Sequence, residues 1–195
     1  MYLFFDTETN GLPKNFKAPA TDLDNWPRVI QLAWQLYDED ENLISENCTL
    51  IKPDGWTVPE DSEFHKEHGY TNENLQENGV ELKGVLQKFV EDIDKSKYMI
   101  AHNMDFDRNV VSAELIRYSV RPNVKPEKVC TMKESTNFCK IPNTSRWGGY
   151  KWPTLIELHQ KLFDEGFDGA HDALEDVRAC AKSFFELKKR EVILK

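Results

Sequence analysis

The hydrophobic period changes once along this chain, from two residues to 3.6, and that switch limits what it can fold into. In residues 28–37, Ile30, Leu32, Trp34 and Leu36 alternate with Gln31, Ala33, Gln35 and Tyr37, so the two sets would face opposite sides of a strand. Before it, Tyr2-Leu3-Phe4-Phe5 is a short apolar run that ends on Asp6, which suits a central buried strand with polar chemistry at its carboxyl end. After it, residues 38–42 read as a hairpin turn into a third strand over about 43–51. From residue 81 the spacing becomes helical, and Leu82, Val85, Leu86, Phe89, Val90 and Ile93 form one stripe. A strand over 98–101, a helix over 106–118 stopped by Pro122, a strand over 128–132 and helices over 154–163 and 173–189 complete the chain. Hairpin-linked strands followed by alternating helix and strand predict an α/β fold, a five-stranded mixed sheet flanked by helices. Residues 13–27 and 137–153 stand out as long irregular loops, of the kind that more often carry function.

A chain of 195 residues suits one packed domain over 1–195. No apolar run approaches the roughly 20 residues of a membrane span, and the first carboxylate comes too early for a secretory signal, so a soluble cytoplasmic protein is expected. Cys48, Cys130, Cys139 and Cys180 are far apart and form no C-x-x-C pair, which points to reduced structural thiols. The net charge of −9 argues against tight binding to a polyanion. It is unevenly spread: between Arg121 and Pro153 seven basic residues (Arg121, Lys125, Lys128, Lys133, Lys140, Arg146, Lys151) stand against Glu127 and Glu134.

Three acidic clusters interrupt this pattern. In Asp6-Thr7-Glu8, strand alternation places both carboxylates on one face, about 7 Å apart along the backbone and close enough to share a hard cation. Alone, the triplet reads more readily as a solvated strand end than as a cation site. In His102-Asn103-Met104-Asp105-Phe106-Asp107, Asp107 would lie in the first turn of a helix, where the macrodipole also favours a purely structural acid, and Asp105 competes for the same role. In His171-Asp172-Ala173-Leu174-Glu175-Asp176, the D-x-x-E form of a capping box makes Asp172 the N-cap. His171 then lies in the preceding loop, free to reach back over the Asp176 face or to pack locally.

Taken in order, the clusters resemble the DEDD exonucleases, the DnaQ-like family, in the subgroup whose last motif carries a histidine. D-x-E matches Asp6 and Glu8; N-x-x-F-D matches Asn103, Phe106 and Asp107, which favours Asp107 over Asp105; H-x-x-x-x-D matches His171 and Asp176. The strand at 28–37 and His68-Gly69-Tyr70-Thr71 also look like family counterparts. The resemblance implies a ribonuclease H-like fold and metal-dependent 3′ to 5′ hydrolysis of terminal phosphodiesters that releases nucleoside 5′-monophosphates. It implies two divalent cations, Mg²⁺ or Mn²⁺, roughly 4 Å apart, with Asp6 bridging both, Glu8 and Asp176 on the side of the attacking water, and Asp107 on the leaving-group side. His171 would be the general base, a task suited to a side chain whose unperturbed pKa lies near 6.5. Thr9 and Leu12 would hold the terminal nucleotide, Leu12 as an apolar wedge, with Asn103 and Phe106 contributing to the same substrate site.

The loop at 140–152 interleaves Arg146, Trp147, Tyr150, Lys151 and Trp152, the composition of a stacking platform for single strands or of a loop pinned by its tryptophans. The implied partner is a nucleic acid 3′ end, single-stranded DNA first and RNA as the alternative, since nothing in the motifs reads the 2′-hydroxyl. A non-catalytic binding module on the same fold is the rival of another class; four carboxylates facing phosphate argue against it. The H-x-x-x-x-D ending weakens an endonuclease of the ribonuclease H type. Against the DNA polymerase III proofreading subunit, residues 13–27 form a longer loop and nothing after the last helix resembles a polymerase tail, so a free-standing trimming or repair nuclease is expected at least equally.

Overall fold

The structure is a computed structural model that describes residues 1–144 and 148–194. Five strands form one sheet in the order β3-β2-β1-β4-β5. β1 (Tyr2–Thr9) pairs antiparallel with β2 (Val29–Tyr37), and β2 pairs antiparallel with β3 (Leu43–Leu50). On the other side β1 runs parallel to β4 (Tyr98–Ala101), which runs parallel to β5 (Glu127–Cys130). This is the mixed sheet expected from the change of period. Two short helices, α1 (Glu63–Glu67) and α2 (Asn72–Asn78), and the long α3 (Leu82–Lys95) lie between β3 and β4. α4 (Met104–Arg117) joins β4 to β5, and α5 (Thr131–Glu134), α6 (Thr136–Cys139), α7 (Leu155–Phe163) and α8 (Ala173–Lys189) follow.

The pleat of β1 sorts its side chains between two cores. Leu3 and Phe5 join Leu32, Trp34 and Leu36 of β2 and the α3 stripe of Leu82, Val85, Leu86, Phe89, Val90 and Ile93. Tyr2 and Phe4 point the other way, to Ile100, Val129, Leu158, Val177, Cys180 and Phe184 beneath α7 and α8. Both faces of the central strand are therefore covered, as parallel neighbours require. The same alternation continues past the expected end at residue 5, because β1 stays paired with β2 as far as Thr9. Asp6 and Glu8 thus share the α8 side with Phe4, while Thr7 shares the α4 side with Phe5.

Several boundaries differ from expectation. α1 and α2 lie in a stretch, 52–80, for which the sequence predicts no element; α5 begins at Thr131, where the fifth strand was expected to continue, and α6 runs into the loop expected from residue 137. They are four to seven residues long, too short for a periodic stripe to show. α4 starts at Met104 and ends at Arg117, well before Pro122. Its stop is a Schellman closure: Ser119 takes φ 54°, its N–H donates to Ile116 O, and Val120 N–H donates to Leu115 O. Serine rarely enters the left-handed region, so that stop carried no sequence signal.

The loop at 13–27 is tied down from α4. Arg117 Nη2 donates to the carbonyls of Leu23 (2.5 Å) and Trp26 (2.8 Å), Trp26 Nε1 donates to Pro19 O (3.1 Å), and Asn15 and Asn25 exchange hydrogen bonds of 2.7 and 3.1 Å. Beneath it Glu114 is fully buried, and its Oε1 takes Arg28 Nε at 2.7 Å, Arg117 Nη1 at 3.2 Å and Val29 N–H at 3.2 Å. Removing one partner of a buried charge cluster strands the others. Glu114→Ala should therefore cost about 3–5 kcal/mol in urea unfolding, far more than an exposed control such as Glu73→Ala.

Candidate functional site

Three chain segments meet at the carboxyl end of β1. The strand supplies Asp6 and Glu8, the first turn of α4 supplies Asp107, and the entry to α8 supplies His171 and Asp176. Asp107 comes from the face of the sheet opposite α8 and is anchored to the strand: its Oδ1 accepts from Thr7 N–H (3.2 Å) and from Thr7 Oγ1 (2.8 Å). Asn103, the N-cap of α4, adopts φ 80° and receives Phe106 N–H on its carbonyl at 2.9 Å, a turn that starts the helix early enough to bring Asp107 inward. Asp105 points outward to Lys133 (2.5 Å), so it does not share the site.

At α8, Asp172 caps the helix as expected, accepting from Leu174 N–H (3.0 Å) and Glu175 N–H (3.3 Å). The Glu175 carboxylate pairs with Arg178 (2.7 Å). His171 lies ahead of the cap at φ 73°, and its N–H donates to Asp176 Oδ2 at 3.2 Å, which turns the residue over the Asp176 face. Ligand atoms of Glu8, His171 and Asp176 all lie within 4.8 Å of one another. The His171 ring meets His68 edge-on, with centroids 5.6 Å apart.

Motif reading missed the residues that hold this corner. Gln31, at the buried start of β2, accepts Ala173 N–H (2.9 Å) on its Oε1 and donates Nε2 to Asp172 (3.2 Å). Tyr70 donates its hydroxyl to the same Gln31 oxygen (2.8 Å) and sits 3.3 Å from the His171 carbonyl. A glutamine on the inner face of an alternating strand was the available signal, since a buried amide needs partners. Thr9 is buried; its hydroxyl donates to Gly11 O (2.7 Å) and its carbonyl meets His65 Nε2 at 3.1 Å. Leu12 is 75% exposed, and Phe106 is half-buried, 6.4 Å from the exposed ring of Phe16.

The electrostatics are those of crowded, buried carboxylates. Burial raises the carboxyl of Asp6 well above its usual range, and repulsion from Asp107, Asp176, Glu8 and Asp172 adds to it. Glu8 is pushed up to about 8 by burial and then by Asp176 and Asp107. Asp107 rises to about 7 through burial, against the two Thr7 hydrogen bonds that lower it, and Asp176 rises to about 6 through burial, moderated by His171. A cluster of buried oxygens that resist ionisation when alone fits hard divalent cations, whose charge would reverse that penalty.

The sequence profile of the RNase T exonucleases matches residues 3–184. The chain belongs to this exonuclease family. Its fold matches E. coli exonuclease I in complex with a dT13 oligonucleotide at a TM-score of 0.73 and 19% identity, covering 97% of this chain and 41% of that one. The same enzyme with a dA16 oligonucleotide matches at 0.69 and 18%, covering 97% and 41%. A further exonuclease I structure, described as suggesting how processivity is achieved, matches at 0.72 and 18%, covering 98% and 42%. The chain therefore spans about two fifths of the length of these enzymes, and at this identity the likeness establishes the ribonuclease H-like fold. No curated protein matches the chain significantly by sequence. Members of the family are nucleases that use divalent cations. Among the described residues, no helix is long and apolar enough to cross a membrane.

A raised carboxyl pKa means that the folded chain prefers the protonated form. The stability this preference contributes is present below the ordinary value near 4 and is lost as pH climbs through the folded values of about 6 to 8. In chelator, Glu8→Gln should therefore be more stable than the parent at pH 8.5, on the order of a few kcal/mol by urea unfolding. The gap should close by pH 4.5, and divalent cations should stabilise the parent more strongly as pH rises.

Proposed function

We propose that this exonuclease-family chain is a metal-dependent 3′ to 5′ exonuclease that removes nucleoside 5′-monophosphates from DNA ends, acting in the cytoplasm as a trimming or repair nuclease. The observation that carries the reading is the convergence of Asp6, Glu8, Asp107, Asp176 and His171 at one strand end, with the carboxyl groups held above their ordinary pKa range.

Asp6, Glu8, Asp107 and Asp176 would hold two cations, Mg²⁺ or Mn²⁺, which when bound supply charge to neutralise the phosphate and stabilise the leaving 3′ oxygen. The chain's own groups do the rest. Thr7 keeps Asp107 turned into the site from the far face of β1, and the Gln31–Asp172–Tyr70 cluster holds the segment that carries His171. The His171 imidazole, at the exposed mouth beside Glu8 and Asp176, accepts the proton of the attacking water. Thr9 and Leu12 take the terminal nucleotide: the burial of Thr9 sets the floor of its pocket, and the exposed Leu12 side chain can lie against the last base. Asn103 and Phe106 shape the wall on the α4 side. The oligonucleotides named with exonuclease I favour DNA over RNA as the substrate.

A 5′-labelled single-stranded oligonucleotide, offered as DNA and as RNA with Mg²⁺, Mn²⁺ or chelator, should shorten from its 3′ end only with metal, faster as DNA, and not at all with Asp107→Ala. A faster RNA ladder would make the chain an exoribonuclease, and intact products under every condition would leave a binding module. His171→Ala should lower kcat by about 10²–10⁴ while cation binding by calorimetry stays near the parent's. Asp6→Ala should lose both. An equal loss of cation affinity in the His171 variant would make that side chain a ligand instead of the base.

A further inference from the structure

Trp152 is 59% exposed, yet the backbone on either side of it is pinned. Lys151 N–H donates to Ile141 O (2.9 Å), the Lys151 ammonium pairs with Glu157 (2.6 Å), and Thr154 begins α7 with a complete capping box. The Pro153 carbonyl accepts from His102 Nε2 at 3.0 Å. That carbonyl can only accept, so Nε2 carries the proton, and the neutral ring takes the Thr131 hydroxyl on Nδ1 at 2.9 Å. Burial holds the His102 ring neutral, down to about 4. His102 directly precedes Asn103, the residue that starts α4 and so places Asp107. The Trp152 segment is thus fastened to the rim of the site described above.

The Trp152 ring is itself braced. Lys133 Nζ stands 5.6 Å from its centroid, and the same ammonium is held by Asp105 in the first turn of α4, two residues from Asp107. A tryptophan that packed the loop onto the core would be buried, and this one is not. A largely exposed aromatic ring on a fixed backbone, with a cation over it, is a surface on which a nucleobase can stack. Tyr150, 44% exposed, lies two residues away on the same segment. Arg146 and Trp147, read from the sequence as part of the same platform, lie outside the described residues.

The geometry points to Trp152, braced by Lys133, as the residue on which a base upstream of the 3′ end stacks, holding a single strand while its terminal nucleotide enters the site. This rests on the exonuclease reading above and adds a binding residue that the acidic motifs do not include. A base stacked outside the cleft contributes to substrate binding and leaves the chemical step alone.

The test compares the parent, Trp152→Ala and Trp152→Phe on a single-stranded DNA 12-mer and on the p-nitrophenyl ester of thymidine 5′-monophosphate, which is too short to reach the platform. Trp152→Ala should raise KM for the 12-mer about tenfold with kcat within about twofold, leave the ester unaffected, and be largely restored by Trp152→Phe. An unchanged KM on the 12-mer, or equal losses on both substrates, overturns the platform. Binding of a labelled 12-mer in calcium, read by fluorescence anisotropy, decides the matter independently of turnover: about tenfold weaker binding by Trp152→Ala supports the platform and unchanged binding overturns it. Failure of the parent to cleave either substrate would instead overturn the exonuclease reading, with the anisotropy result still judging Trp152.

Discussion

Four carboxylates gathered at the end of β1 repel one another, and burial removes the water that would screen them, so the surrounding framework must hold them together at a cost. That cost is visible in Asp6, Glu8, Asp107 and Asp176, all displaced toward the protonated form. The framework that meets it is apolar. β1 is covered on both faces, by α3 and α4 on one side and α7 and α8 on the other, and the buried aromatic rings of Phe4, Phe5, Phe89 and Phe184 leave it little freedom to relax. Strain of this kind persists where the rest of a structure over-determines the geometry.

The two faces of β1 contribute differently. On the α8 side the strand itself presents Asp6 and Glu8, and the helix returns Asp176. On the α4 side the strand presents Thr7, whose two hydrogen bonds draw Asp107 around the strand end. A second layer of polar contacts registers α8 against the sheet, since Gln31 bonds both the helix cap and its first amide while Tyr70 closes on the same oxygen. Loops that look independent in sequence are fastened to the same frame. Arg117 of α4, itself paired with the buried Glu114, holds residues 13–27, and His102 holds the Trp152 segment. α4 therefore orders both an acidic residue inside the site and the loop at 13–27.

Much of this was legible in the chain. The switch from alternating to helical spacing marked the mixed sheet and the long helices, because both periods record which side of an element must leave water. The carboxylates were legible as a set only when three weak motifs were read together, since each alone also suits a strand end or a helix cap. Less legible were elements without a period: α1, α2, α5 and α6 are too short to repeat, and the left-handed Ser119 that ends α4 belongs to a residue type that seldom adopts that backbone. Trp152 could be read as a core anchor or as a platform, and only its exposure separates the two.

The sequence by itself determined the α/β class and the burial of β1, which follow from local spacing; that β2 is buried on both faces came from the packed helices. Its resemblance to a family singled out the acidic and histidine residues that meet. Tertiary structure decided how they meet: that Asp107 is held by Thr7, that Gln31 and Tyr70 support the His171 corner, and that Asp105 turns to Lys133 instead of into the cleft. Those contacts join residues up to 142 positions apart. No local pattern encodes such a pairing, since the partner exists only once the strands and helices between them have packed.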